Sequence, residues 1–268
     1  MFYISSMVQS VGYNQNLYNA YYNQATNEEK QRRVDDSMSV LGLALASEGI
    51  HVASNQLARA LMRGKEYTTP QNIIDVTQNM LRQNNLDTKV FFVDPSNIYD
   101  VSRATRISVN ELRDVANGKN AFFSDSHRVA VAPVSKPSLI QHELGHAINS
   151  KKAFTRFLQN SRRLAVFAPT ALILANKINE KINDNPEKET FIERNAGKLG
   201  FLAFLPTIIE EGLASIRGIQ AAKSTLGGQN VKLGPLRKNY LLAWLTYVLA
   251  GVGLGIASKI SVKTGIPS

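Results

Sequence analysis

The sequence predicts an α+β fold that is mainly helical, with a small edge-stranded sheet packed on one motif-bearing helix and further hydrophobic helices added to it. Three observations carry this. Segments with helical apolar spacing or helix-start signals run through most of the chain. Strand-like runs occur at Lys89–Asp94 and within Asn120–Val134, just ahead of a helical segment that contains His142-Glu143-Leu144-Gly145-His146. Beyond that segment the chain turns apolar and basic, ending in an uncharged run from Tyr240 to Ala257.

The 268 residues allow one large domain or two, and 44% apolar residues suffice to bury a core. With no cysteine, disulfides and thiolate metal ligands are excluded. The net charge of +10 favours acidic partners such as anionic lipid, nucleic acid or acidic substrates. Residues 1–27 carry no charge and are crowded with Tyr, Asn, Gln and Ser, the composition of a disordered or loosely attached tail. They lack a basic stretch followed by an apolar one, so no secretory signal is evident. A single domain is then expected over 28–268.

In chain order, dense charge over Glu28–Asp36 marks a helix start. Ser39–Arg63 has helical spacing at Val40, Leu41, Leu43, Leu57 and Leu61, weakened by Gly42 and Gly49. His51 stands alone there and reads as a packing or surface residue. Thr68-Thr69-Pro70 opens a helix to about Asn84, with Thr as the cap and Pro just inside. Lys-Val-Phe-Phe-Val-Asp at 89–94 is a short buried strand ended by Pro95. Ser108–Ala116 is a short helix with Ser108 as cap and Glu111 three residues on. Ala121-Phe122-Phe123, a polar turn at 124–126 and Val129-Ala130-Val131 form a strand or hairpin. A strand here can offer backbone groups to an extended peptide. His127, at the hairpin, reads as an exposed residue or a substrate contact.

The segment at 142–146 is an HExxH motif. Leu139, Ile140, Leu144 and Ile148 put it on a helix, where residues i and i+4 share a face. Both imidazoles can then reach one metal ion, zinc being the usual occupant. Glu143 can serve as general base on a water and later protonate a leaving amine. The competing reading is two histidines on an ordinary amphipathic helix; the preceding strands favour the metal.

A third ligand must come from elsewhere. One pattern would require Gly at 149 and His at 152, where the chain has Asn149 and Lys152. The four histidines are His51, His127, His142 and His146, so none lies downstream. That leaves a carboxylate on a later helix, and Ile208-Ile209-Glu210-Glu211-Gly212-Leu213-Ala214-Ser215 supplies two. The competing reading is a solvated acidic pair, which its apolar surroundings disfavour.

HExxH followed at a distance by Glu-Gly-x-small-x resembles the gluzincins, the thermolysin-like zinc metallopeptidases. The resemblance implies a thermolysin-like (zincin) core, Glu211 as third ligand with Glu210 as the alternative, and one zinc ion per chain. The family's Asp behind a zinc-bound His falls on Ser215, a weaker acceptor. Family members often add an oxyanion donor downstream; Arg217, Arg237 and Tyr240 are available, with Tyr240 preferred.

After the motif, Lys151, Lys152, Arg156, Arg162 and Arg163 lie in a stretch without acid from Leu144 to Asn179. Leu164–Ala175 is apolar and broken by Pro169. Asn176–Lys198 reads as a polar loop, and Leu199–Ile209, with Pro206, as a second apolar run. Each run is shorter than the roughly 20 residues of a simple span. Together they form a hydrophobic helical insertion at 164–209, either buried core or a hairpin dipping into one leaflet. Tyr240–Ala257, flanked by Arg237-Lys238 and Lys259, reaches the lower edge of transmembrane length and carries Gly251, Gly253 and Gly255. Its alternative is a buried helix; the acid-free basic flanks favour a lipid surface. These features are similar to membrane-embedded gluzincins of the stress-response and CAAX-processing types, the resemblance covering about 89–218.

The expected function is a zinc-dependent endopeptidase acting on a peptide or protein substrate and associated with a membrane. The alternative is a catalytically inactive zinc-binding membrane or scaffold protein. Nucleic-acid binding ranks last, since no groove, finger or helix-turn-helix signature accompanies the charge.

Overall fold

Aromatic and β-branched residues cluster in two short stretches, and these form the only sheet among the described residues. The computed structural model describes residues 27–182 and 189–265. Strand β1 (Lys89–Val93) pairs in parallel with β3 (Val129–Pro133), Lys89 opposite Val129 and Val93 opposite Pro133. Strand β2 (Phe122–Ser124) pairs antiparallel with β3, Phe122 opposite Val131, giving the order β1-β3-β2. The strand directly before the HExxH helix is therefore central, with partners on both sides. It cannot offer its backbone to a peptide; the edge on the hairpin side is β2.

Nine helices complete the described chain: α1 (Asn27–Arg63), α2 (Pro70–Gln83), α3 (Ile98–Thr105), α4 (Val109–Ala116), α5 (Leu139–Lys151), α6 (Ala153–Ala165), α7 (Ala168–Ile182), α8 (Phe191–Leu226) and α9 (Gly234–Thr264). The protein is thus mainly helical with one small sheet. The expected tail lies, up to residue 26, outside the described residues.

The local signals act as expected in the first half. Thr69 accepts from the Asn72 N–H at 3.3 Å, with Pro70 in the first helical position of α2. Ser108 and Glu111 close a reciprocal capping box on α4. Helix α3 was not anticipated. Ahead of it the Asp94 carboxylate accepts from the N–H groups of Ser96 (2.8 Å) and Asn97 (3.2 Å), closing the turn that leads into the helix. It buries Ile98, Val101 and Thr105, which share one face.

The chain divides into two compact units. One comprises Asn55–Ser161 and Pro206–Tyr247. In it the sheet carries a core on each face. Val129 and Val131 meet Val93, Val101, Leu112 and Val115, while Ala130 and Ala132 point the other way, toward Ile73, Met80, Ile140 and Leu144. This is the period-two alternation of a strand. The small alanines on the second face leave room for α5, which is buried continuously from Leu139 to Ser150.

The other unit comprises the described parts of 1–54, 162–205 and 248–268 and is wholly helical. Its buried cluster is small: Ile173, Ala196 and Val262, flanked by Leu172 and Ile192. Helices α8 and α9 meet there through small residues. A Cβ added to Gly255 would stand 2.6 Å from the Gly197 carbonyl oxygen, and one added to Gly200 would stand 2.2 Å from Ser258 Oγ.

Three element boundaries differ from expectation. The polar loop at Asn176–Lys198 is largely helix: α7 runs to Ile182 and α8 starts at Phe191. Lys177, Glu180, Lys181, Arg194 and Lys198 are good helix formers whatever their charge. Thr190 and Glu193 cap α8 reciprocally, at 3.0 and 2.9 Å. The apolar run Leu199–Ile209 is the middle of this 36-residue helix, Pro206 included, rather than a short segment of its own. The C-terminal helix extends beyond 240–257 at both ends, reaching 31 residues, because Arg237, Lys238 and Lys259 continue it. Both α8 and α9 are long and apolar enough to cross a membrane.

Candidate metal centre

Gly145 sets the geometry of the site. A Cβ there would lie 2.4 Å from the carbonyl oxygen of Ala214, so only glycine lets the backbone of α5 approach α8 this closely. The contact brings Glu210, Glu211 and Ser215 over the face of α5 that carries His142 and His146.

Three donor atoms converge. His142 Nε2 stands 3.1 Å from Glu211 Oε2 and 3.1 Å from His146 Nε2, and His146 Nε2 stands 3.4 Å from Glu211 Oε2. Adjacent donors around a tetrahedral ion with bonds of about 2.0–2.1 Å lie ~3.3 Å apart. The triangle has that size, and the cluster of His142, His146 and Glu211 can hold a metal ion.

The far side of each ring is also occupied. With Nε2 turned into the triangle, His142 Nδ1–H donates to Ser215 Oγ at 3.1 Å. His146 Nδ1–H donates to Glu210 Oε1 at 2.8 Å. The same Glu210 oxygen accepts from Asn149 Nδ2 at 2.7 Å and Gln159 Nε2 at 2.9 Å. Gln159 also bonds the His146 carbonyl at 3.0 Å, tying α6 to α5. Glu210, read as the alternative ligand, thus faces the opposite edge of the His146 ring from the donor triangle.

Electrostatics favour a cation here. Glu143, Glu210 and Glu211 are all buried, the last two at 0% exposure. Buried carboxylates without compensating charge cost several kcal/mol each. Burial by itself pushes the His146 imidazole down, but Glu211 and then Glu210 more than reverse this and hold it at about 10. A divalent ion on the triangle supplies the same compensation.

The oxyanion candidates separate. Tyr240 is buried against the site, its ring edge-on to His142 with centroids 5.6 Å apart. Its hydroxyl proton is given to the backbone carbonyl of Ser138, at 2.8 Å, ahead of the first turn of α5. Arg217 is half-buried on α8 and acts electrostatically on Glu210. Arg237 is exposed in the first turn of α9. His127 is exposed at the hairpin and shares hydrogen bonds with Ser124 and Ser126, and His51 lies on α1. Neither belongs to the cluster.

Sequence reasoning missed Asn149 and Gln159. Asn149 lies three residues after His146, on the same helical face, and was open to inference. Gln159 lies on the next helix and required the packing of α6. Also outside the reading was the support beneath α5. Gln141 donates to the Tyr67 hydroxyl at 2.8 Å, and burial pushes that phenol up to about 12. The Lys136 ammonium, lowered by burial, donates to the Gly64 carbonyl.

Compared with family models, with curated proteins and with solved structures, the chain matches none of them.

Proposed function

We propose that the chain is a zinc-dependent endopeptidase of gluzincin type, with a thermolysin-like core and membrane association. The observation that carries the reading is the donor triangle of His142, His146 and Glu211, with Glu143 next to the first of them on a buried helix. Two nitrogens and one carboxylate oxygen suit zinc, and three protein ligands leave a fourth position open to water or substrate. Bound there, zinc supplies Lewis acidity, polarising the scissile carbonyl and making a water easier to deprotonate.

The remaining steps belong to side chains. Glu143 takes the proton from the attacking water and passes it to the leaving amine, so that its carboxylate is restored at the end of the cycle. Ser215 and Glu210 hold the two imidazoles in the tautomer that presents Nε2. The open edge of β2 is the strand against which an extended peptide would align. The Tyr240 hydroxyl, given to Ser138, steadies the start of α5 rather than meeting an oxyanion.

Membrane association rests on α8 and α9, each long enough to cross, and on α6. Thr155 and Leu158 face inward on α6, whereas Phe154 (66%) and Phe157 (64%) are exposed beside Lys151, Lys152 and Arg156. Paired aromatics with flanking cations suit an anionic headgroup layer.

The test is zinc content of the purified chain by mass spectrometry, followed by hydrolysis of a peptide library. One zinc per chain is expected, lost in Glu211→Gln. Glu143→Gln should keep the zinc and lose about 10²–10⁴-fold in hydrolysis. A chain purified without chelators and carrying no zinc would end the metallopeptidase reading. Zinc with no cleavage of any peptide would select the inactive zinc-binding membrane or scaffold protein.

A further inference from the structure

We infer that Glu210 is a positioning residue for His146, and that this chain places its orienting carboxylate behind the second histidine of HExxH instead of the first. The inference rests on the zinc reading above. It starts from an inequality between the rings. The gluzincin resemblance expects an acid at position 215 behind a zinc-bound histidine; here Ser215, a neutral hydroxyl, stands 3.1 Å from His142 Nδ1. The acid is instead on the neighbour of the ligand Glu211.

Glu210 is built for this role. Its carboxylate is fully buried. One oxygen, Oε1, collects His146 Nδ1, Asn149 Nδ2 and Gln159 Nε2, at 2.8, 2.7 and 2.9 Å. Donors from α5 and α6 converge on an acceptor from α8, so the carboxylate is fixed in position. It contacts the ring nitrogen opposite to the one in the donor triangle. From there a carboxylate fixes the tautomer and makes Nε2 a stronger donor to a metal. Of the two histidines, His146 is therefore the better-supported ligand.

The experiment is zinc affinity of the full-length chain, by competition with a chromophoric chelator, and the visible spectrum of the cobalt-substituted protein. Glu210→Gln keeps size and most geometry but removes the charge. It should weaken zinc about 10–100-fold, the usual effect of losing such a partner. Ser215→Ala should weaken it about threefold or less, well under the range for a carboxylate partner. The cobalt bands should shift in Glu210→Gln while keeping tetrahedral intensity, a change that loss of packing alone does not produce. Glu210→Asp, which restores the charge on a shorter arm, should recover part of the affinity.

Unchanged zinc affinity in Glu210→Gln, with wild type binding normally, overturns the inference and leaves the metal site standing. Complete loss of zinc, matching Glu211→Gln, also overturns it, since Glu210 would then be a ligand. No zinc in wild type removes both readings. Should Glu210→Gln fail to fold, Gln159→Leu takes its place: a several-fold loss of affinity supports the role, and none refutes it.

Discussion

The two units bury apolar surface in different ways. The unit containing the sheet has a layered core, with Leu112, Ile140, Leu144 and Met80 all at 1% exposure or less. The helical unit leaves much of its apolar surface outside: Leu174 is 58% exposed, Ile178 60% and Leu202 53%. Its helices meet at Gly197, Gly200, Gly255 and Ser258, where backbone packing replaces side-chain interdigitation. A water-driven core needs large inward side chains. Helices in lipid gain nothing by hiding leucine and associate through small residues. The first unit is packed as a water-driven core is; the second is packed in the way that would suit hydrocarbon.

Mutations can break that comparison. The largest effect is expected for Leu144→Ala, which opens a cavity in the layered core beside His142 and His146. About 2–5 kcal/mol of stability should go, read as a lower unfolding midpoint. If a leucine-to-alanine change at exposed Leu174 cost as much in detergent solution, the two units would not differ as described. Gly145→Ala should come next. It drives a methyl into the Ala214 carbonyl, costing about 1–3 kcal/mol as overpacking does, and on the zinc reading it should also weaken metal binding because Glu211 moves with α8. Gly228→Ala, with nothing within 4 Å, is the control.

Smaller effects sharpen the picture. Thr69→Ala should cost about 1 kcal/mol through the lost α2 cap. Tyr67 has its folded pKa raised to about 12 from 10.0. A raised value means stability fully present below pH 10 and lost as pH climbs toward 12. Tyr67→Phe should flatten that alkaline decline in a pH series of unfolding midpoints. Leu174→Ser with Ile178→Ser should change stability in detergent by less than about 0.5 kcal/mol, as surface substitutions do, while lowering incorporation into lipid vesicles.

Much of the first unit was legible because its signals are local. Thr69-Pro70, Ser108 with Glu111, the 89–93 strand and the hairpin each carry their own instruction within a few residues. The spacing of His142 and His146 and the neighbourhood of Glu211 were legible for the same reason. The contact of Glu210 with His146 was not. Neighbours on a helix differ by about 100° in direction, and which carboxylate meets the triangle depends on how α8 lies across α5. The helical unit was misread where charge was taken for loop. Lys177, Glu180 and Lys181 lie within α7, and Arg194 and Lys198 within α8.

The burial of α5 has a consequence in time. His142 and His146 are each 7% exposed and Glu211 not at all, so no donor of the triangle stands free in solvent. An ion held there would meet water only at the position the three donors leave open, so its exchange would be slow while α5 stays packed. On the zinc reading, loading would be fastest during folding, before α5 is packed. Refolding in the presence of zinc and adding zinc to the folded chain should fill the site at very different speeds.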